Sequence, residues 1–156
     1  MSCIICHSSQ IEIFAEINTK TYWKCHTCLG AYLDKAHFLS EADEYTHYCT
    51  HENNIDDPHY RAFLSRLLIP LKQRIQKHTN GLDYGCGPGP ALVAMLQEEG
   101  YFMTKYDPYF FPDAPLLDKK FDFITCSETA EHFSNPHREF SQFGKMLCPK
   151  GILGIM

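Results

Sequence analysis

The chain has 156 residues and a formal charge of −5 at neutral pH, with lysines and arginines scattered along it. That length holds one domain and a small appendage, and that charge argues against a nucleic-acid backbone as the main partner. No apolar run is long enough to span a membrane, and Cys3 lies too near Met1 for a signal peptide to precede it, so the expected location is the cytoplasm.

Four of the eight cysteines form two pairs near the N-terminus, Cys3/Cys6 and Cys25/Cys28, each C-x2-C, with eighteen residues between the pairs. Each pair makes a turn that presents two thiolates to one ion, and two turns close a tetrahedron. The expectation is a structural zinc site. An iron centre or an empty site is the alternative, as is His7 or His26 replacing a cysteine. Ile11, Ile13, Ala15 and Ile17 alternate with polar residues as in a half-exposed strand, and residues 21–24 read as the returning strand. Residues 1–32 are therefore expected to form a zinc ribbon, held by metal because so short a unit cannot hold itself by burial. Cys49, Cys86, Cys126 and Cys148 lie apart and read as free thiols.

Residues 33–56 are polar and show no helical period. They are either a solvated linker or a cap over a ligand, in which case Tyr45, Tyr48, His51 and Asn53 are candidate contacts. Asp57-Pro58 is a helix start. Behind it, Tyr60, Phe63, Leu64, Leu67, Leu68, Leu71 and Ile75 share one face, which reads as core, with a kink expected at Pro70. Lys72, Arg74 and Lys77, the densest basic group, are expected on this helix as a solvated face.

Leu82-Asp83-Tyr84-Gly85-Cys86-Gly87-Pro88-Gly89-Pro90 then reads as a strand, a tight glycine turn and a new helix. Glycine lets a ligand lie against the backbone, and a helix N-terminus offers unpaired amides, so a nucleotide-like ligand is expected. The dinucleotide fingerprint fails because Pro90 stands where its last glycine belongs, and no Gly-Lys-Ser/Thr ending supports a P-loop. Residues 101–106 read as a second strand ending in Asp107-Pro108. An acid there, about twenty residues past the first glycine, is placed to accept two ribose hydroxyls. Leu92, Met95 and Leu96 are expected inward on the helix after the loop, which ends near Gly100. Asn135-Pro136 opens another helix, with Phe140, Phe143 and Leu147 on its buried face.

The D-x-G-x-G-x-G loop, Asp107, the F-D-x-I strand at Phe121–Ile124, the E-x-x-E-H segment at Glu128–His132 and the L-x-P-x-G turn at Leu147–Gly151 occur in the order found in class I S-adenosylmethionine (SAM)-dependent methyltransferases, which this chain resembles over residues 82–156. Lys150 stands where that family usually has glycine. With a zinc unit in front, the order is also similar to a bacterial subgroup of small-molecule methyltransferases. The resemblance implies an α/β, Rossmann-like parallel sheet ordered 2-1-4-5 over residues 57–156. Edge strand three is missing or vestigial, because thirteen residues with three prolines separate Asp107 from Phe121. Met156 falls inside the expected fifth strand, so the family's closing hairpin is absent from this sequence. Either the chain continues, or a partner such as a second copy covers the sheet edge.

The resemblance further implies SAM lying over Gly85, Cys86, Gly87 and Gly89, with its ribose on Asp107 and Asp83 fixing the loop by accepting backbone amides. Adenine is expected near Tyr106, Pro108, Ser127 and Glu128. Glu131 or His132 is expected to take a proton from the acceptor, or else to brace the cofactor side. The expected activity is methyl transfer to a small molecule. The alternatives are a zinc-ribbon interaction module carrying a degenerate, non-catalytic domain, and an RNA methyltransferase.

Overall fold

The structure, a computed structural model, describes residues 1–49 and 54–156. Near the N-terminus, β1 (Ile11–Ile17) and β2 (Lys20–Cys25) form an antiparallel hairpin. Asn18 and Thr19 both take positive φ, the geometry that a two-residue turn between right-twisted strands requires. A third strand, β3 (Ala31–Leu33), pairs antiparallel with β2; three residues are too few to show a period in sequence. The alternation expected of β1 is only half kept. A register shift between Ile13 and Ala15 leaves Ile13, Phe14 and Ile17 exposed.

Residues 33–49 depart from the sequence reading by forming a helix, α1 (Glu41–Tyr48). Ser40 starts it: its hydroxyl accepts from the Asp43 amide at 3.2 Å and donates to the Asp43 carboxylate at 2.7 Å. Helix α2 (Pro58–Lys72) is capped by Asp57, which accepts from the His59 amide at 2.9 Å. It ends two residues after Pro70, so of the expected basic trio only Lys72 is helical, and Lys72 pairs with Glu99 at 2.5 Å.

Four strands, β4 (Asn80–Tyr84), β5 (Phe102–Tyr106), β6 (Phe121–Cys126) and β7 (Leu147–Ile155), form a parallel sheet ordered β5-β4-β6-β7. This is the Rossmann-like order inferred from the motifs. Between β5 and β6 the described chain makes a 3-10 turn (Ala114–Asp118) and no strand. Helices α2 and α3 (Ala91–Glu98) cover one face, where Leu64, Leu68, Leu92, Leu96 and Phe123 pack. Helix α4 (Pro136–Met146) covers the other, over Leu82, Tyr84, Ile124, Phe143 and Met146. Two expectations for α4 fail. Phe140 is 38% exposed, and Leu147 already belongs to β7, with Met146 taking the inward place. In β7, Lys150 takes the left-handed conformation that favours glycine (φ 67°). A Cβ at the neighbouring Gly151 would fall 2.9 Å from the Cys148 carbonyl oxygen.

The ribbon meets the sheet domain at α4. The His137 Nδ1–H donates to the Ile5 carbonyl at 2.9 Å, and the His7 and His137 rings lie 4.0 Å apart.

Gly81 shows how tightly β4 is packed. A Cβ there would lie 2.2 Å from Phe123 Cζ and 2.6 Å from Met103 Sδ. Gly81→Ala is expected to cost about 1–3 kcal/mol by overpacking, read as a lower urea midpoint with an unchanged slope.

Candidate functional site

The carboxyl ends of β4, β5 and β6 open onto a cavity of about 650 Å³. This is where open parallel sheets bind ligands, and the volume is in the usual range for them. β4 ends in Asp83 and Tyr84, and the chain then turns with Gly85 at φ 77° and Gly87 at φ 64°. The Gly85 and Cys86 amides donate to the Tyr106 carbonyl at 2.8 and 3.2 Å, which staples the loop to β5. A Cβ on Gly85 would sit 2.2 Å from Thr129 Cγ2, so that glycine makes room for Thr129. The Thr129 hydroxyl in turn donates to the Gly85 carbonyl at 3.1 Å. Helix α3 starts behind the loop with no side-chain cap.

One of the two acids departs from the role expected of it, and the other takes up that role as well. Asp83 was expected to hold the loop; its Oδ1 instead accepts from the Thr125 hydroxyl at 2.6 Å, deep in the sheet. Asp107 holds the loop. Its Oδ2 accepts from the Gly87 amide at 3.0 Å, and its Oδ1 accepts from the Tyr109 and Phe110 amides at 2.9 and 3.1 Å. The reason is direction: side chains alternate along a strand, and the Asp83 side chain points into the sheet-to-helix layer. Asp107 lies just past β5 and turns back over the glycines.

Of the other predicted cofactor residues, Cys86, Tyr106, Pro108, Ser127 and Glu128 line the cavity with Asp83, Gly85, Gly87 and Asp107, while Gly89 is buried outside the lining. Burial pushes the Cys86 thiol well above its ordinary range, and its Sγ faces the Gly87 carbonyl at 3.6 Å, so it stays a neutral thiol. Glu128 is held at φ 50°, a left-handed conformation that is costly for a non-glycine residue. His132 reaches the cavity wall; Glu131 is exposed and does not line it. Of the cap candidates, Tyr48 lines the cavity and Tyr45 packs behind it on Tyr109 and Phe110; His51 and Asn53 lie outside the described residues. Tyr60 and Phe63, read as core, also reach the cavity.

Several lining residues were not anticipated. The Tyr84 hydroxyl donates to Glu139 at 2.6 Å, and burial and that carboxylate hold the phenol far above its usual range. Arg138 and Glu139 arrive on the first turn of α4, whose Asn135 cap accepts from the Arg138 amide at 3.2 Å. Glu44 arrives on α1.

Burial, opposed by the Thr125 hydrogen bond and reinforced by Asp107, pushes the Asp83 carboxyl up from 3.8 to about 6. The folded state thus binds more protons than the unfolded one between those values. Stability from Asp83 is complete below about pH 4 and is lost as pH rises through 6, on the order of 3 kcal/mol. Asp83→Asn keeps an acceptor for Thr125 and carries no charge. Its stability relative to wild type is expected to rise between pH 4 and 8, as measured by urea unfolding at each pH.

In the ribbon, the four thiols of Cys3, Cys6, Cys25 and Cys28 come together, with all Sγ atoms within 4.8 Å of one another. The Cys3–Cys28 and Cys6–Cys25 sulfurs are 3.8 and 3.6 Å apart. A tetrahedron with metal–sulfur bonds of about 2.3 Å has edges of about 3.8 Å, so the set fits zinc. The Ile5 and Thr27 amides donate to Cys3 and Cys25 Sγ, each at 3.4 Å, and the Cys28 and Thr27 amides hold the Cys25 thiol down to about 6 despite burial. His26 turns to Glu12 at 3.3 Å and His7 to His137, so neither joins the thiols.

No curated protein matches the chain. Among solved structures it is similar to the crystal structure of coclaurine N-methyltransferase bound to N-methylheliamine and SAH, at 16% identity and a TM-score of 0.42. That match covers 72% of this chain and 43% of the other, so the chain spans less than half the length of that structure. No helix among the described residues is long and apolar enough to cross a membrane. The family model described as "Methyltransferase domain" matches residues 57–156, which carry the sheet, the glycine loop and the cavity, and the chain belongs to that family.

Proposed function

We propose that this chain binds SAM at the carboxyl edge of the parallel sheet and serves methyl transfer to a small-molecule acceptor. The observation that carries the reading is the pairing of a left-handed Gly85–Gly87 turn with the Asp107 carboxylate bonded to the Gly87 amide, both on the cavity wall. Backbone without side chains and a fixed carboxylate are the two features a nucleoside attached to an amino acid needs. Gly85, Gly87 and the uncapped start of α3 would face the amino-acid part, and Asp107 the ribose. Pro108, Ser127 and Glu128 would border the base.

When bound, SAM supplies a methyl group already activated on a sulfonium, so the hard chemistry is the cofactor's. The chain's residues have to orient the acceptor and exclude water. Such positioning removes roughly 7–11 kcal/mol of barrier when geometry is right. Helix α1 supports this reading because it brings Glu44 and Tyr48 to the cavity wall. His132, on the cavity wall beside Tyr48, is the group we assign to hold the acceptor's proton. The four ribbon cysteines are assigned to a structural zinc ion with no open position, which braces the N-terminus of α4 through His137.

Isothermal titration with SAM and with S-adenosylhomocysteine (SAH) tests the proposal. One site per chain with micromolar affinity is expected. A folded, zinc-loaded chain that takes up neither ligand at millimolar concentration refutes it.

A further inference from the structure

We propose that the acceptor side of this cavity recognises a protonated amine, with Glu44 and the rings of Tyr48 and Tyr109 as its binding group; the proposal rests on the methyl-transfer reading. The first support is the sign of the wall. Glu44, Asp83, Asp107, Glu128 and Glu139 line the cavity, against Arg138 as the only lysine or arginine among the described lining residues. An acceptor carrying phosphate or carboxylate would meet repulsion from nearly every side. Asp83 and Asp107 sit by the glycine loop and belong to the donor end. Glu139 receives the Tyr84 hydroxyl.

Glu44 is different in its setting. It stands on α1, away from the glycine loop in sequence, and its partner Tyr48 sets it beside His132, the group assigned to the acceptor's proton. The Tyr48 hydroxyl donates to its Oε1 at 2.9 Å and the Tyr109 hydroxyl donates to its Oε2 at 3.0 Å. Both oxygens are therefore fixed in place, and a carboxylate with two acceptor positions used has about two more to offer. Around it the rings form a wall: Tyr48 to Tyr109 is 5.8 Å, Tyr48 to His132 is 5.8 Å, and Tyr45 to Tyr109 is 5.7 Å between centroids. Burial and the Glu44 contact push the Tyr48 phenol far above its usual range, so it stays a donor to that carboxylate. A fixed carboxylate among aromatic rings is the chemistry that holds ammonium groups, through charge and through the negative faces of the rings. His132 lies on the same wall, next to Tyr48.

The test uses the full chain, zinc-loaded and saturated with SAH. Phenethylammonium, 2-phenylethanol and phenylacetate are titrated into it by calorimetry at low and high salt. The ammonium is expected to bind at least tenfold more tightly than the alcohol, with phenylacetate weakest and the preference shrinking in salt. Glu44→Gln, nearly isosteric, is expected to remove most of that preference while SAH affinity stays within twofold. Alcohol binding as tight as ammonium binding overturns the proposal, as does a Glu44→Gln chain that keeps the tenfold preference. A Glu44→Gln chain that loses SAH affinity also overturns it, since Glu44 would then belong to the donor end. Failure of the wild-type chain to bind SAH at all is a separate result; it removes the functional reading and this proposal with it.

Discussion

Asp107→Ala is expected to weaken SAH binding by about 100-fold or more and to cost the ligand-free protein about 2–4 kcal/mol. The two effects have one origin. The carboxylate accepts three backbone amides, from Gly87, Tyr109 and Phe110, and so ties the glycine loop to the turn after β5. Its removal leaves three donors to find water at a wall where Asp107 itself is only 6% exposed. The same oxygens are those assigned to the ribose, where charge-assisted bonds count most. Asp107→Asn is expected to fall between wild type and alanine. Its oxygen can still serve Tyr109 and Phe110, but its NH2 then confronts the Gly87 amide. Calorimetry with SAH and urea unfolding of the ligand-free chain check the two halves. Binding within threefold of wild type would show that Asp107 only shapes the loop.

Removal of the metal assigned to the ribbon is expected to have the second large effect. Among the described residues of β1–β3 and their turns, only Cys3 and Cys25 are buried, and both belong to the thiol cluster. Ile13, Phe14 and Ile17 point to solvent and contribute little. The hairpin has no core of its own, so the zinc ion assigned to its thiols, worth about 10–16 kcal/mol in comparable peptides, is expected to hold it. Chelation, or Cys25→Ser, is expected to abolish amide protection across residues 11–33 in hydrogen exchange, while β4–β6 stay protected by their own cores. The His137 contact should be lost with the Cys3–Cys6 turn, raising exchange at the first turn of α4. Persistent protection in the chelated ribbon would assign its stability to something other than the metal.

What the sequence could reveal follows from the range of the interactions involved. The glycine loop, Asp107 and the four cysteines were legible because their chemistry depends on spacing along the chain. So was the order of the parallel strands, through motifs that succeed one another in the chain. Helix α1 was not legible. It is eight residues long and mostly polar, and its place is set by Tyr45, Tyr48 and Glu44 meeting a loop some sixty residues later. The Tyr84–Glu139 bond spans 55 residues and leaves no local trace. That Asp107 rather than Asp83 holds the loop was hidden for another reason: the place of Asp83 in β4 turns it toward Thr125, while Asp107, just past β5, folds back over the glycines. Phe140 fits the helical period of the inward face, yet α4 is rolled so that Phe143 and Met146 fill the space and Phe140 stays at the rim.

The proposed function stands or falls with the Gly85–Gly87 turn and Asp107 together holding the nucleoside of a methyl donor. A crystal structure of the zinc-loaded chain with SAH tests it most directly. The ribose hydroxyls are expected within hydrogen-bond distance of Asp107, and the amino-acid part along the glycine turn. SAH bound elsewhere, with the Asp107 carboxylate still engaged only by Gly87, Tyr109 and Phe110, would contradict it.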